Sequence, residues 1–399
     1  MNVLQKAFCR TVQFCFRVAM PVLPYRDPEI FGSVKDVPQI LKKKKKDCVL
    51  LVTDGFLKSS GATAQLEKAL SDSGIRCVVY DKTRPNPTTE NVEQARQLYL
   101  ESGCQALIAF GGGSAMDCAK AVSARAVCRR SLKQLRGNLK IWRKLPTIIA
   151  IPTTAGTGSE ATVTAVITDP VKKHKYTMNN FPFIPPYAVL DPHVTATLPP
   201  HLTATTGMDA LTHAVEAYIG RSTCAKTRRL ALEATELIFG SIEKAYENGN
   251  DLEARQNMLL AAHKAGLAFS MSYVGYIHAV AHSLGGQYNI PHGLANTVLM
   301  PMVLESYGEK IYKKLHDLAV AAGVAAKDDS HEAAAKAFIA AIRAKNKAMG
   351  VPETLDGICV EDIPHMAKHA SREGNPLYPV PVLWNAKELE RFYYQVRTE

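Results

Sequence analysis

Between Cys48 and Asp191 the apolar residues fall into short runs rich in β-branched side chains: Val49 to Thr53, Cys77 to Tyr80, Leu107 to Phe110 and Thr147 to Ile151. Turn residues bound each run, and the segments between them, 61–72, 91–102 and 114–127, carry apolar positions at helical spacing, such as Leu66, Ala69 and Leu70 in the first. Short strands alternating with amphipathic helices predict βαβ units on a parallel sheet. Beyond Asp191 the pattern changes to alanine- and leucine-rich stretches of helical period, ended by glycine and proline, with no convincing strand. The expected organisation is an N-terminal extension over 1–25, an α/β domain over 26–195, and an all-α domain over 196–399 of roughly seven to nine helices.

In the extension, Leu4, Phe8, Val12 and Cys15 with Phe16 recur at helical spacing, while Arg10, Gln13 and Arg17 break the apolar face. A signal peptide needs an unbroken apolar core and a small-residue cleavage site, and both are missing. The pattern predicts an amphipathic helix packed on the protein's own body or on a sister subunit, with a peripheral membrane helix as the alternative. No apolar run approaches the ~18 residues that would span a bilayer.

Composition narrows the classes further. A chain of 399 residues, 47% hydrophobic and 21% charged, can bury a large core and is expected to form two domains sharing a cleft. The net charge of +11 comes largely from local runs, Lys42 to Lys46 and Lys172, Lys173 and Lys175, without aromatic interleaving or zinc-finger spacing, so no nucleic-acid partner is expected. Nine cysteines without a C-x-x-C pair suit a reducing compartment and a cytoplasmic location.

Two loops offer phosphate chemistry. The run Leu107 to Phe110 leads into Gly111-Gly112-Gly113-Ser114 and then a helical pattern through Asp117 and Lys120. Side-chain-free backbone at a helix N-terminus lets N–H groups approach an anion. This differs from G-x-G-x-x-G and follows the third predicted strand, so an ordinary Rossmann assignment does not apply. The second loop, Pro152 to Glu160, is dense in hydroxyls, including Thr153, Thr154 and Thr157. Asp54-Gly55 ends the first strand, where a carboxylate can accept from the ribose hydroxyls of NAD and repel the 2′-phosphate of NADP.

In the helical half, Asp209 and His213 stand four residues apart on one helix face, His278 and His282 repeat that spacing, and His292 opens another helix after Gly285-Gly286. Asp209, His213, His278 and His292 offer one oxygen and three nitrogens, leaving a coordination position open for a substrate oxygen, which is the layout of a catalytic metal. Ligand type admits Fe²⁺, Zn²⁺, Mn²⁺ and Ni²⁺. Such a cation acts as a Lewis acid on an alcohol or aldehyde oxygen while nicotinamide exchanges the hydride. His282, one turn from His278, is read as a proton relay or nicotinamide contact, with a packed core histidine as the alternative.

Together these segments resemble the iron-containing (group III) alcohol dehydrogenase family from about residue 27 onward, on Gly111 to Ser114 with Asp117 and Lys120, Pro152 to Glu160, Gly207 to Ala214, and Gly266 to Ser270 leading to His278, His282 and Pro291-His292-Gly293. The resemblance implies an α/β N-terminal dinucleotide-binding domain with parallel sheet, plus an all-α C-terminal domain, the dehydroquinate synthase-like fold. It also implies a metal in the cleft, a homodimer, and interconversion of a primary alcohol and its aldehyde. NAD is expected before NADP, and Fe²⁺ before Zn²⁺. The metal ligands carry over to Asp209, His213, His278 and His292, and the cofactor contacts to Asp54, Asn86, Gly111, Gly112, Gly113, Ser114, Asp117, Thr153, Thr154, Thr157 and Lys175. The extension lies outside the shared core. Thr164 stands where related lactaldehyde reductases carry an amide, and Tyr273, Tyr276 and Ser283 are read as altering the surroundings of the histidines. The competing readings are a glycerol or polyol dehydrogenase or a dehydroquinate-synthase-like enzyme of the same fold, and a non-catalytic assembly protein with a vestigial site.

Overall fold

The computed structural model describes residues 1–170 and 174–398, so Lys172 and Lys173 lie outside the described residues. It comprises two units: Pro24–Leu198, and a second in which Met1–Leu23 packs with the chain from Pro199 onward. Helix α1 (Val3–Ala19) opens the chain. The first unit then runs β1 (Glu29–Phe31), α2 (Val37–Lys43), β2 (Cys48–Val52), α3 (Gly55–Ser59), α4 (Ala64–Asp72), β3 (Arg76–Tyr80), α5 (Thr89–Glu101), β4 (Ala106–Gly111), α6 (Gly113–Val127), α7 (Leu132–Leu135), β5 (Gly137–Asn138), β6 (Thr147–Pro152), β7 (Thr164–Asp169), β8 (His174–Asn179) and β9 (Tyr187–Val189).

Six strands form a parallel sheet in the order β1-β9-β6-β4-β2-β3. Alternate residues of a strand face opposite sides, and here both sides are covered. Leu50, Val52, Leu107 and Ala109 join one core with Val92, Met116 and Val122 of α5 and α6, while Val49, Leu51, Ile108 and Phe110 join another with Ile40, Leu66 and Leu70 of α2 and α4. This double burial explains why the strands read as continuous apolar runs. The direction of strand addition reverses at β2, with β3 on one side and β4 on the other. Loops leaving the carboxyl ends of strands at such a switch point are where doubly wound sheets bind ligands. Asp54-Gly55 leaves β2, Gly111-Gly112-Gly113 leaves β4, and Thr153 to Glu160 leaves the adjacent β6.

The sequence pattern omitted β1 and β9, each three residues long, and a second sheet of order β5-β8-β7. In that sheet β7 and β8 are antiparallel, with Thr164 opposite Asn179 and Thr168 opposite Lys175.

The second unit is α1 with α8 (Pro200–Ile219), α9 (Ala225–Glu247), α10 (Leu252–Ser272), α11 (Tyr276–Tyr288), α12 (His292–Tyr307), α13 (Tyr312–Ala321), α14 (His331–Ala348), α15 (Ile363–Gly374) and α16 (Ala386–Val396). Helix α8 is buried continuously from Gly207 to Ile219, and α9, α10 and α12 pack around it. A Cβ at Gly207 would lie 2.7 Å from Met258 Cε and 2.8 Å from Ile242 Cδ1, so the glycine is what lets α8, α9 and α10 approach. Among the described residues no helix is long and apolar enough to cross a membrane.

Helix α1 packs on this unit through its polar side. Its inward contacts are largely polar: Arg10 donates to the carbonyls of Val380 (2.7 Å) and Pro381 (2.9 Å), and Gln13 donates to that of Tyr378 (2.7 Å). Cys9, Gln13 and Met20 are buried and Phe16 stacks edge-on against Tyr273, whereas Leu4, Phe8, Phe14 and Val18 are 62–81% exposed. The physical reason is that the 376–381 segment presents bare carbonyls, which guanidinium and amide donors satisfy and an apolar stripe cannot.

Candidate metal centre and dinucleotide loops

Three helices bring four donors together. Asp209 and His213 project from α8, His278 from the first turn of α11, and His292 from the start of α12. One ligand atom from each lies within 4.8 Å of all the others. Asp209, His213 and His278 are buried, and the His292 side chain is 40% exposed, so the group opens on the His292 side. His278 Nε2 stands 3.9 Å and His292 Nε2 3.7 Å from Asp209 Oδ1. Separations of this size suit donors spread around an ion at about 2.0–2.2 Å.

Glu216, one turn beyond His213, fixes the orientation of His278. Its Oε2 accepts from His278 Nδ1 (2.6 Å) and from the Gly275 N–H (2.7 Å), and its Oε1 accepts from the Ile277 N–H (2.8 Å). With its proton held on Nδ1, His278 turns the Nε2 lone pair into the cluster, where that atom has no hydrogen-bond partner among the described residues. A buried nitrogen without a partner, beside a buried carboxylate, is the test of fit for a cation, and these residues meet it. Burial and the neighbouring imidazoles hold the His278 pKa well below its ordinary value, keeping it neutral as a ligand must be. Burial pushes the Glu216 carboxyl up to about 8 against the three bonds it accepts. Asn296 donates to Asp209 Oδ1 at 2.7 Å and orients that carboxylate in turn.

His282 sits beside the cluster, its ring stacked on His292 at 5.1 Å between centroids. Its Nδ1 bonds to Glu373 Oε1 (2.6 Å), which also accepts from the Tyr378 hydroxyl (2.6 Å). Burial alone would raise the Glu373 carboxyl, but the adjacent His282 and Tyr378 outweigh it and hold the pKa low.

In the α/β unit the three loops meet. Thr153 N–H donates to the Gly111 carbonyl (3.1 Å), and Cβ atoms placed on Gly112 and Gly113 would lie 3.3 Å from Thr154 Oγ1 and 3.1 Å from Thr157 Cγ2. Gly111 has φ +152°, and a Cβ there would come within 2.7 Å of that of Ala115. Ser114 Oγ accepts from the Asn86 N–H at 3.3 Å, and Asn86 adopts a left-handed φ of 57°. Pro87 accepts from Thr168, the residue opposite Lys175, so Lys175 joins this neighbourhood. Asp54 caps α3, its Oδ1 accepting from the Leu57 N–H (2.9 Å). Next to it lies a cavity of about 430 Å³ bordered by Gly55, Asp81, Lys82, Arg84 and Glu90.

Models of known families match both units: that of iron-containing alcohol dehydrogenase over residues 30–192, and that of the C-terminal part of the Fe-containing alcohol dehydrogenase family over 203–395. The chain is 35% identical over 384 residues to a 1,3-propanediol dehydrogenase of Klebsiella pneumoniae, covering 95% of this chain and 98% of that protein. It is 35% identical over 341 residues to an NAD-dependent methanol dehydrogenase of Bacillus methanolicus, covering 85% and 90%. An alcohol dehydrogenase from Oenococcus oeni superposes with a TM-score of 0.89 at 32% identity, over 93% of this chain and 100% of that one. The chain belongs to the iron-containing alcohol dehydrogenase family.

As an iron-containing alcohol dehydrogenase it is an oxidoreductase acting on alcohols, and the structure refines the places of Asp117, Tyr276 and Ser283. Asp117 reaches from α6 to the second loop, away from the glycines. Its two oxygens accept from Ser159 Oγ and the Val166 N–H, each at 3.0 Å, because α6 turns this side chain toward the 152–164 segment. It pins that segment together with Lys120, whose fully buried ammonium donates to Ser159 Oγ, Thr162 Oγ1 and the Thr164 carbonyl at 2.8–3.0 Å. Tyr276 and Ser283 also turn away from the histidines. The Tyr276 hydroxyl donates to Asn375 Oδ1 (2.8 Å), and Ser283 pairs with Tyr393 (2.6 Å). Glu216, Asn296 and Glu373 were missed. The spacing Asp209, His213, Glu216 on one helix face was the available signal for the first, whereas Glu373 lies too far along the chain to be seen.

Proposed function

We propose that this iron-containing alcohol dehydrogenase interconverts a short-chain primary alcohol and its aldehyde with NAD(H), and that Asp209, His213, His278 and His292 hold the divalent cation it needs. The observation that carries the reading is the convergence of these four donors within 4.8 Å, with Glu216 freeing the Nε2 lone pair of His278. A bound cation supplies Lewis acidity at the substrate oxygen, and the nicotinamide ring supplies or takes the hydride. The chain's own residues do the rest. Glu216 and Asn296 hold the donors in place. Glu373 takes the Nδ1 bond of His282 and so leaves Nε2 to hold or release a proton. The backbone of Gly111 to Ser114, with Thr153, Thr154 and Thr157, is suited to a pyrophosphate, Asn86 and Lys175 to the dinucleotide beside it, and Asp54 to a ribose diol.

Three imidazoles and one carboxylate suit Fe²⁺, with Zn²⁺ second. NAD before NADP is supported by Asp54, and a short substrate by relatives whose names speak of methanol, 1,3-propanediol and, in Escherichia coli, lactaldehyde. A cytoplasmic homodimer completes the proposal, with nine free cysteines in keeping with a reducing compartment. The test is His278→Ala. Metal content and turnover should fall together, and full metal occupancy in the folded variant would remove His278 from the ligand set.

A further inference from the structure

Helix α15 carries a second pair of histidines that the buried cluster does not use. His365 and His369 stand four residues apart on one face and are both exposed, and their Nε2 atoms converge to 3.2 Å. The opposite face, Ile363, Met366, Ala367 and Ala370, is buried, which anchors the helix and points the two imidazoles outward from a rigid support. The separation fits chelation. With metal–nitrogen bonds of about 2.05 Å, two nitrogens 3.2 Å apart subtend about 103° at the ion, between the ~90° of cis octahedral ligands and the ~109° of a tetrahedron.

We propose that His365 and His369 form a second, solvent-facing metal site that takes borderline divalent cations of high nitrogen affinity, Cu²⁺, Ni²⁺ or Zn²⁺. The chain supplies two imidazoles, and water completes the coordination. One turn further along the same face stands Glu373, whose Oε1 bonds to His282 and accepts from Tyr378. Two donors bind less tightly than the four of the buried cluster. A neutral imidazole pair also favours Cu²⁺, Ni²⁺ and Zn²⁺ over Fe²⁺. The two sites therefore load differently: Fe²⁺ enters the buried cluster alone, while excess Zn²⁺ or Ni²⁺ also occupies α15.

Untagged full-length protein, stripped with chelator, is titrated with Zn²⁺ by calorimetry alongside equilibrium dialysis with elemental analysis. Two equivalents per chain are expected, a tight one and a weaker one. His365→Ala and His369→Ala should each abolish the weaker equivalent and retain the tight one and the enzyme's turnover. Cu²⁺ added to protein whose buried cluster is already filled should give an electron paramagnetic resonance spectrum with nitrogen couplings that disappear in His369→Ala. A weaker equivalent that never appears, or that survives in both variants, overturns the proposal. Loss of the tight equivalent alone in His278→Ala would bear on the buried cluster and leave this site standing.

Discussion

Glu216→Gln replaces an ionisable carboxyl with a neutral amide and leaves the shape of the side chain almost unchanged. The carboxylate accepts three bonds, from His278 Nδ1 and the Gly275 N–H at Oε2 and from the Ile277 N–H at Oε1. An amide nitrogen accepts none. The variant therefore keeps most if its oxygen faces His278 and Gly275 and its nitrogen faces the Ile277 N–H, leaving that buried donor unpaired at a cost of about 1–3 kcal/mol. His278 then has a neutral acceptor on Nδ1, which makes Nε2 a weaker base. Loss of such a supporting carboxylate typically weakens metal binding ~10–100-fold, about 1.4–2.7 kcal/mol. The assay is competition for Zn²⁺ or Fe²⁺ against a chelator of known affinity, with circular dichroism confirming the fold and turnover measured at saturating metal. Affinity should fall by that factor, and turnover should recover substantially once the site is filled. Affinity within about twofold of the parent, in folded protein, would refute the role given to Glu216.

If Asp54 sets cofactor preference, Asp54→Gly should raise NADP efficiency relative to NAD by about five- to tenfold, the scale of a solvent-screened like-charge contact, with Lys82 and Arg84 bordering the adjacent cavity; an unchanged ratio in steady-state kinetics argues against it. His282→Ala should lower kcat by roughly 10²-fold with metal content unchanged, and Glu373→Gln should lower it less, whereas a fully active His282→Ala enzyme would make this histidine a packing residue. Lys120 is pushed down from 10.5 to about 8, chiefly by burial. Between those values the unfolded chain binds the extra proton, so this group's contribution to stability rises with pH from about 8 to 10.5. Urea midpoints at pH 8 and pH 10 should show that rise in the parent and a smaller one in Lys120→Met, and equal slopes would contradict it.

The parts of this molecule that were legible in its sequence are those in which one local pattern meets one physical demand. Strands β2, β4 and β6 are buried on both faces and so appear as apolar runs, and two of the four donors, Asp209 and His213, lie at a helix spacing that a periodicity of 3.6 reveals. What escaped depends on contacts between distant segments. Strands β1 and β9 are three residues each and are made strands only by pairing with one another and with β6. Glu373 reaches His282 across 91 positions. Asp117 sits in the glycine-loop motif, yet Ser159 and Val166 claim both its oxygens. The inward polar side of α1 could not be read from its own pattern, because the carbonyls that Arg10 and Gln13 satisfy lie more than 360 positions away.

The most direct test of the central claim is NADH consumption with a panel of short-chain aldehydes, and NADH formation from NAD and glycerol in the reverse direction, after chelation and after separate anaerobic reconstitution with Fe²⁺ and Zn²⁺. Aldehyde reduction abolished by chelation and restored by Fe²⁺ is the predicted result. Folded, metal-loaded protein that remains silent with every aldehyde would contradict it.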